Sequence, residues 1–432
     1  MTTRRPALHF SARKGWINDP NGFCFFGGRY HIFYQHNPYA PQWGQMHWGH
    51  AVSDDLVFWK ELPIALVPDR WYEDDPKGGC FSGSAIVIDG ILHLYYTAAA
   101  GGHQRQCVAT SSDGVTFVKA ERNPILEAPS GFEDFRDPKV FFIEERLFMV
   151  IGASDGTEHV VLLYEGSDPY TWEERGVLYS VPREIGTMPE CPDFFPLDDK
   201  WVLVFSPIGK DTHGVVAVIG TFDVHTCSFT SESIQPLDHG SHYYAFQSTS
   251  GNDRKRYAFA WAGQWPWMGR FSGHGSDAEG WRGFLNFPRR LRYVDGRIHS
   301  YPVEGIRDLF TDSLIDKSLK PNCDLSLTSL GGVYLMSITY SSSFSLRFGS
   351  TQLAVDSVSH TATFTHHGTT GIAPLAGGLV EIFVDRMSTE IFFDGGYASI
   401  CFNRHEDEDD TMMISNGNAP LKLSASGSPL HR

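Results

Sequence analysis

GFCFFGGRYHIFYQ (Gly22–Gln35) reads as two apolar strands joined at Gly27-Gly28, because two glycine or polar residues between apolar runs signal a hairpin. The plan returns four times, as SGSAIVIDGILHLYYT from Ser82, KVFFIEERLFMVIG from Lys139, DFFPLDDKWVLVFS from Asp193 and YAFQSTSGNDRKRYAFAW from Tyr244. The turns are Asp89-Gly90, Glu144-Glu145, Asp198-Asp199 and the longer run 251–255. The second strands start near Tyr30, His93, Leu147, Trp201 and Tyr257, at gaps of 63, 54, 54 and 56 residues. Four of them lead into another strand with a Ser/Asp turn, and Asp54, Asp113, Asp168 and Asp223 lie 59, 55 and 55 residues apart. A period near 55 with about four short strands suits a propeller blade. The spacing predicts an all-β chain with a five-bladed β-propeller over residues 1–302. A β-sandwich would also give periodic strands, but it leaves five near-equal repeats without a reason.

The chain changes character after the repeats. Residues 303–317 are polar and read as a linker with a short helix. Residues 318–432 are rich in Ser, Thr and Gly, with alternating runs such as GVYLMSITYSSSFSLRFG and LVEIFVDRMSTEIFFDGG. That pattern predicts a second all-β domain, a β-sandwich. The acidic run at 405–410 reads as a solvated loop.

Bulk composition excludes several classes. The 432 residues are 41% hydrophobic, enough to bury a large core rather than stay disordered. The net charge is −16 with no Lys/Arg run, which argues against a nucleic-acid or anionic-membrane partner. Seven scattered cysteines form no CxxC pair, so neither a disulfide framework nor a zinc ribbon is expected. The nineteen histidines show no HEXXH or paired ligand spacing, and no metal or other cofactor is expected. The opening MTTRRPALHFSARKG has no apolar signal-peptide core, and no run reaches the roughly 20 apolar residues of a membrane span. The expectation is a cytoplasmic protein with no membrane partner. The 11 tryptophans suit stacking on sugar rings as well as core packing.

The repeat also points to chemistry. The first strand of each blade lines the central channel. Counting 11 residues back from Tyr30, His93 and Trp201, and 10 back from Leu147, reaches Asp19, Ser82, Glu190 and Asp137. These four are expected at equivalent positions, converging on one funnel. Three are carboxyl groups, in the contexts WINDPNG, FRDPKV and MPECPDFF. Pro20 and Pro138 bias the aspartates before them toward extended backbone. Acidic groups are costly at a channel mouth unless paired or used. Glycoside hydrolysis uses such a set, one carboxyl protonating the leaving oxygen and another attacking the anomeric carbon or activating water. A lone Asp-Pro is usually just a turn; three carboxyls in register are not.

WINDPNG, FSGS, RDP and EC, in this order, resemble glycoside hydrolase family 32, the invertases, levanases and inulinases. The resemblance extends through YQHNPYAPQWGQMHWGHAVSDDLVFW (34–59), GWRGFLNFPRRL (280–291) and VDRMSTEIFFDGG (384–396). It implies a small-molecule sugar substrate: a retaining enzyme cutting a β-linked fructosyl unit from sucrose or a short fructan. It implies Asp19 as nucleophile, Glu190 as acid/base and Asp137 as a transition-state stabiliser holding fructose hydroxyls. Arg136 would orient a carboxylate, and Asn18, Gln35, Trp43, Phe81, Ser82 and Trp261 would shape the fructose pocket. Cys191 either tunes the burial of Glu190 or is an inert thiol. One place departs from the family: in DHGSHYYAFQ (238–247), His242 stands where an aspartate is usual, which bears on the leaving-group side. Other readings are a different five-bladed glycosidase that inverts, a fructosyltransferase or exo-levanase/inulinase using the same site, and a non-catalytic sugar-binding module.

Overall fold

The computed structural model describes residues 4–209, 214–263, 265, 275–328, 330–404 and 411–431, so the acidic run 405–410 lies outside the described residues. Five antiparallel sheets follow one another along the chain, and their inner strands are Gly15–Phe26, Gly79–Ile88, Asp134–Ile143, Thr187–Leu197 and Tyr244–Ser250. The turns after them are tight where the sequence is short. Gly27 and Gly28 have φ of 57° and 83°, and Asp89, Glu144 and Asp198 take 51°, 54° and 54°. This left-handed backbone lets a two-residue turn follow the twist of its strands.

The inner strands pack side by side in a closed cycle, the first touching both the second and the fifth. A crossing closes the ring: Trp281–Arg282, from the fifth repeat, pairs parallel with Gly15 and Trp16 of the first sheet. Faces of neighbouring sheets meet through aromatic cores. Phe141 and Phe148 of the third sheet pack on Phe194 and Phe222 of the fourth. The sheets fit a propeller followed by a sandwich.

The C-terminal part forms two six-stranded sheets. Phe344–Phe348 alternates buried and exposed residues, as a strand with one face on the core and one in water must. Met336, Ile338, Leu346, Phe364, Ile391 and Ile414 sit in the shared core. The stretch expected as a linker with a short helix has that helix, Glu304–Arg307, followed by a strand, Asp312–Leu319, which pairs with Leu421–Gly427. Pairing therefore starts before residue 318. Only Leu319 of that strand is buried, so its composition carried no strand alternation.

Buried charges join the two parts. Asp385 accepts the N–H groups of Ala7 and Leu8, both at 2.9 Å. His9 bridges Asp385 at 2.8 Å and Glu390 at 3.1 Å. Glu390 also accepts from the Phe287 N–H at 2.8 Å and from Arg289 at 2.9 Å. All four charged side chains are fully buried. Burial opposes the charge on His9, but the bonds to Asp385 and Glu390 win and push it up to about 9.

That shift has a sign. A folded-state pKa above the unfolded value stabilises fully below about 6.5 and is lost as pH rises through about 9. The melting temperature should therefore fall between pH 7 and 9.5. His9→Gln should flatten this slope while lowering Tm at pH 6; calorimetry across pH checks both.

Candidate active site

Each inner strand carries a bulge at a matching place near its N-terminal end. The segments Ile17–Pro20, Cys80–Gly83, Arg136–Lys139, Glu190–Asp193 and Tyr244–Gln247 each set an extra residue against the partner strand. Neighbours on a regular strand point to opposite faces, and a bulge re-aims one of them. Asp137 and Cys191 also take positive φ, 67° and 48°. For a residue with a side chain this costs on the order of 1–2 kcal/mol. Consecutive side chains thereby turn into the same space.

This geometry corrects the expected register. Aligned on the bulge, Glu190 matches Arg136 and Tyr244, while Asp137 matches Cys191 and Ala245. Asp19 and Ser82 stand one position further on. Counts from the turn mislead because the first two ladders run one position longer from bulge to turn than the third and fourth, and the first strand has an additional bulge between Asn21 and Cys24. The shorter count of 10 to Asp137 was the sign of the shift; a count of 11 from Leu147 lands on Arg136.

The three carboxyls nonetheless share one network. Asp19 Oδ2 accepts from Ser82 Oγ at 2.6 Å and from the Cys191 thiol at 3.7 Å, and its Oδ1 accepts from Asn18 Nδ2 at 2.9 Å. Asn18 is itself fixed by Trp16 Nε1 at 2.7 Å. Asp137 is buried, and its Oδ2 accepts the Cys191 N–H at 2.8 Å. Its own N–H donates to Thr97 Oγ1 at 2.9 Å. Cys191 thus bridges the two aspartates, one through its backbone and one through sulfur. Glu190, its neighbour, accepts from Arg136 Nε at 3.1 Å and Nη2 at 3.0 Å on Oε1, and from the Tyr244 hydroxyl at 2.5 Å on Oε2. Arg136 also pairs with Asp134.

Burial and crowding shape the charges. Burial, then the charge of Glu190, raises Asp19 to about 6, against the pull of Ser82, Asn18 and Cys191. Burial raises Asp137 to about 7; Arg136 opposes this, and Glu190 and Asp19 add to it. The Cys191 thiol is pushed far up by burial and by the carboxylates, so it is a neutral donor and no nucleophile.

The expected pocket residues divide. Asn18, Ser82 and Arg136 touch the carboxyls directly. Trp261 is buried in an aromatic cup with Trp16, Trp265 and Tyr244, which Phe81 borders. Its indole lies edge-on to Trp16 at 5.9 Å, and its N–H has no hydrogen-bond partner among the described residues. Trp43 is 41% exposed and meets Phe81 edge-on at 6.4 Å, on the rim. Gln35 sits one layer back, donating to the Cys80 carbonyl at 2.9 Å. Sequence reasoning missed Tyr244, Thr97 and Trp16. Tyr244 and Trp16 had signals, since one opens the fifth repeat and the other opens the WINDPNG motif; Thr97 had none. His242 bonds Ser241 Oγ through Nδ1 at 2.8 Å. It is buried, with its N–H on the Cys401 carbonyl at 3.1 Å. A groove of about 500 Å³ lined by Tyr30, Lys255, Tyr257 and Arg292 lies at the turn end of the strands and holds none of these carboxyls.

Known proteins share this sequence and fold. Residues 9–302 match the model for the glycosyl hydrolases family 32 N-terminal domain. A sucrose-6-phosphate hydrolase of Escherichia coli is 33% identical over 97% of this chain and 94% of its own. A raffinose invertase of the same organism is 36% identical over 77% of this chain and 69% of its own. A GH32 beta-fructofuranosidase of Bombyx mori superposes with a TM-score of 0.87 at 31% identity, covering 98% of this chain and 94% of that one.

Two outcomes follow from the raised carboxyls. A group with a raised folded pKa stabilises below its unfolded value, near 3.8, and loses that contribution as pH passes about 7 for Asp137. Asp137→Asn, which stays neutral, should gain Tm over the parent at pH 8 and not at pH 4. Ser82→Ala removes a donor that favours ionised Asp19. It should move the acid limb of kcat/KM upward from about pH 6, by half a unit or more on the order expected for one lost hydrogen bond; an unmoved limb would show that Asp19 does not control it.

Proposed function

The chain belongs to glycoside hydrolase family 32 and is a fructose-releasing glycosidase, and from that premise we propose that it cleaves terminal β-linked fructose by a retaining mechanism. The five sheets are read as five blades over 1–302, with their carboxyls at one end of the axis, and the sandwich follows. The observation that carries the mechanism is Cys191 joined to both Asp19 and Asp137 beside Glu190. Three acidic groups from three sheets thus face one small volume.

Roles follow from what each oxygen touches. Asp19 is the nucleophile: ionised above about pH 6, it attacks the fructosyl anomeric carbon and forms a covalent ester. Glu190 is the acid/base. Arg136 occupies its Oε1, leaving Oε2 as the oxygen that hands a proton to the departing sugar and later takes one from water. Tyr244 suits both states. Its hydroxyl donates to Oε2 when Glu190 is ionised, and has a second acceptor, the Ser206 carbonyl at 3.3 Å, for when Oε2 carries the proton. Asp137 binds fructose hydroxyls whose bonds strengthen as positive charge develops on the ring. The aromatic cup of Trp16 and Trp261, with Asn18 and Ser82, encloses the furanose, and Phe81 and Trp43 form its rim. The relatives named for sucrose 6-phosphate, raffinose and levan differ in what departs. Sucrose and short fructooligosaccharides are the substrates proposed here.

Asp19→Ala and Glu190→Ala should each lower kcat by roughly a thousandfold or more with Tm little changed. Asp137→Asn should lower kcat more than it raises KM. NMR of the first product should show the β anomer of fructose, and the α anomer appearing first would mean direct water attack. A panel of sucrose, sucrose 6-phosphate, raffinose, kestose, inulin and levan then ranks leaving groups.

A further inference from the structure

The loop that opens the fifth inner strand is built as an extension of the sandwich. Residues 238–242 run along the strand Ala398–Asn403. The His239 N–H donates to the Ser399 carbonyl at 2.8 Å, and the Ser241 and His242 N–H groups donate to the Cys401 carbonyl at 3.0 and 3.1 Å. Asp238 returns the grip. Its Oδ1 accepts the Cys401 N–H at 2.9 Å, and its Oδ2 accepts Ser399 Oγ at 2.6 Å and Arg289 at 3.4 Å. The fit is close at Gly240, where a Cβ would lie 2.1 Å from the Cys401 carbonyl oxygen. Arg289 also holds Glu390 and lies over the Tyr243 ring at 4.2 Å. The next residue is Tyr244, whose hydroxyl reaches Glu190 Oε2.

We propose that the sandwich is a positioning element of the acid/base: Ser399 and Cys401, through Asp238 and the loop 238–242, set where Tyr244 holds its hydroxyl on Glu190. The inference rests on reading Glu190 as the acid/base, and it gives the second domain a part in proton transfer beyond covering apolar surface. It also accounts for His242. At a position that hydrogen-bonds the sandwich backbone, an imidazole packed against Ser241 and Asn403 serves the joint. A hydroxyl displaced by even about 1 Å loses most of a hydrogen bond, and catalytic geometry tolerates little more than about 0.5 Å. A contact far from substrate therefore reaches the rate.

The test is a double-mutant cycle between Ser399→Ala and Tyr244→Phe, in the full chain with sucrose, reading kcat, KM and the alkaline limb of the pH profile. Removing a donor from a carboxylate disfavours its ionised form, so both variants should move that limb to higher pH. Each should lower kcat about 3- to 30-fold with KM within about twofold, and the double variant should be no worse than Tyr244→Phe alone, the non-additivity of one coupled unit. Should Ser399→Ala not fold, Asp238→Asn cuts the same link. Multiplicative losses in kcat, or a Ser399→Ala that lowers Tm but leaves kcat and the limb unmoved, would overturn the proposal. Glu190→Gln separates this from the underlying reading: normal turnover there removes Glu190 as the acid whatever the cycle shows.

Discussion

Everything at this site depends on one extra residue in each inner strand. An extended chain alternates its side chains, so Arg136 and Asp137 could not both face the axis from a regular strand, nor could Glu190 bond Arg136 while Cys191 bonds Asp137. The bulges and the left-handed backbone at Asp137 and Cys191 solve this. The strain is local and is held by what surrounds it: the Asp137 N–H on Thr97, the Cys191 N–H on Asp137, and Ala245 N–H on Ser206 Oγ at 2.9 Å. A strained backbone at a functional position is stable only when its neighbours over-determine it.

Crowding three acids in one place would by itself keep them protonated. The structure separates their fates by giving each a different company. Among the described residues Asp19 receives only neutral donors, a serine, an amide and a thiol, and titrates near 6. Asp137 receives a backbone N–H and lies deeper, near 7. Glu190 takes the guanidinium of Arg136 on one oxygen and a phenol on the other. Arg136 bonds Glu190 and Asp134 and acts on Asp137 only through space.

Much of the architecture is legible in the chain because short two-residue turns and apolar runs are local signals. The hairpins at Gly27, Asp89, Glu144 and Asp198 fall where their residues place them. Bulges leave no such mark, since an extra residue in a strand changes neither composition nor apolar content. The additional bulge of the first strand and the longer ladders of the first two hairpins are equally silent, so the register slips by one at Asp137 and by two at Glu190. The strand Asp312–Leu319 escapes for the opposite reason: it faces water almost throughout and has no alternation to read. Motifs such as VDRMSTEIFF are visible as words, but their meaning is spatial. Asp385 and Glu390 meet their shared partner His9 across 376 and 381 positions of chain.

The parallel pairing of Trp281–Arg282 with Gly15 and Trp16 has a consequence for the making of the protein. The strand that carries Asp19 leaves the ribosome before the other repeats, and its final neighbour comes with the last of them. Until translation passes residue 282, the earliest sheet keeps an unsatisfied backbone edge, the kind of surface on which chains recruit one another. The ring therefore closes only after the fifth repeat has been made, and the seam at Gly15 and Trp16 joins the earliest repeat to the latest.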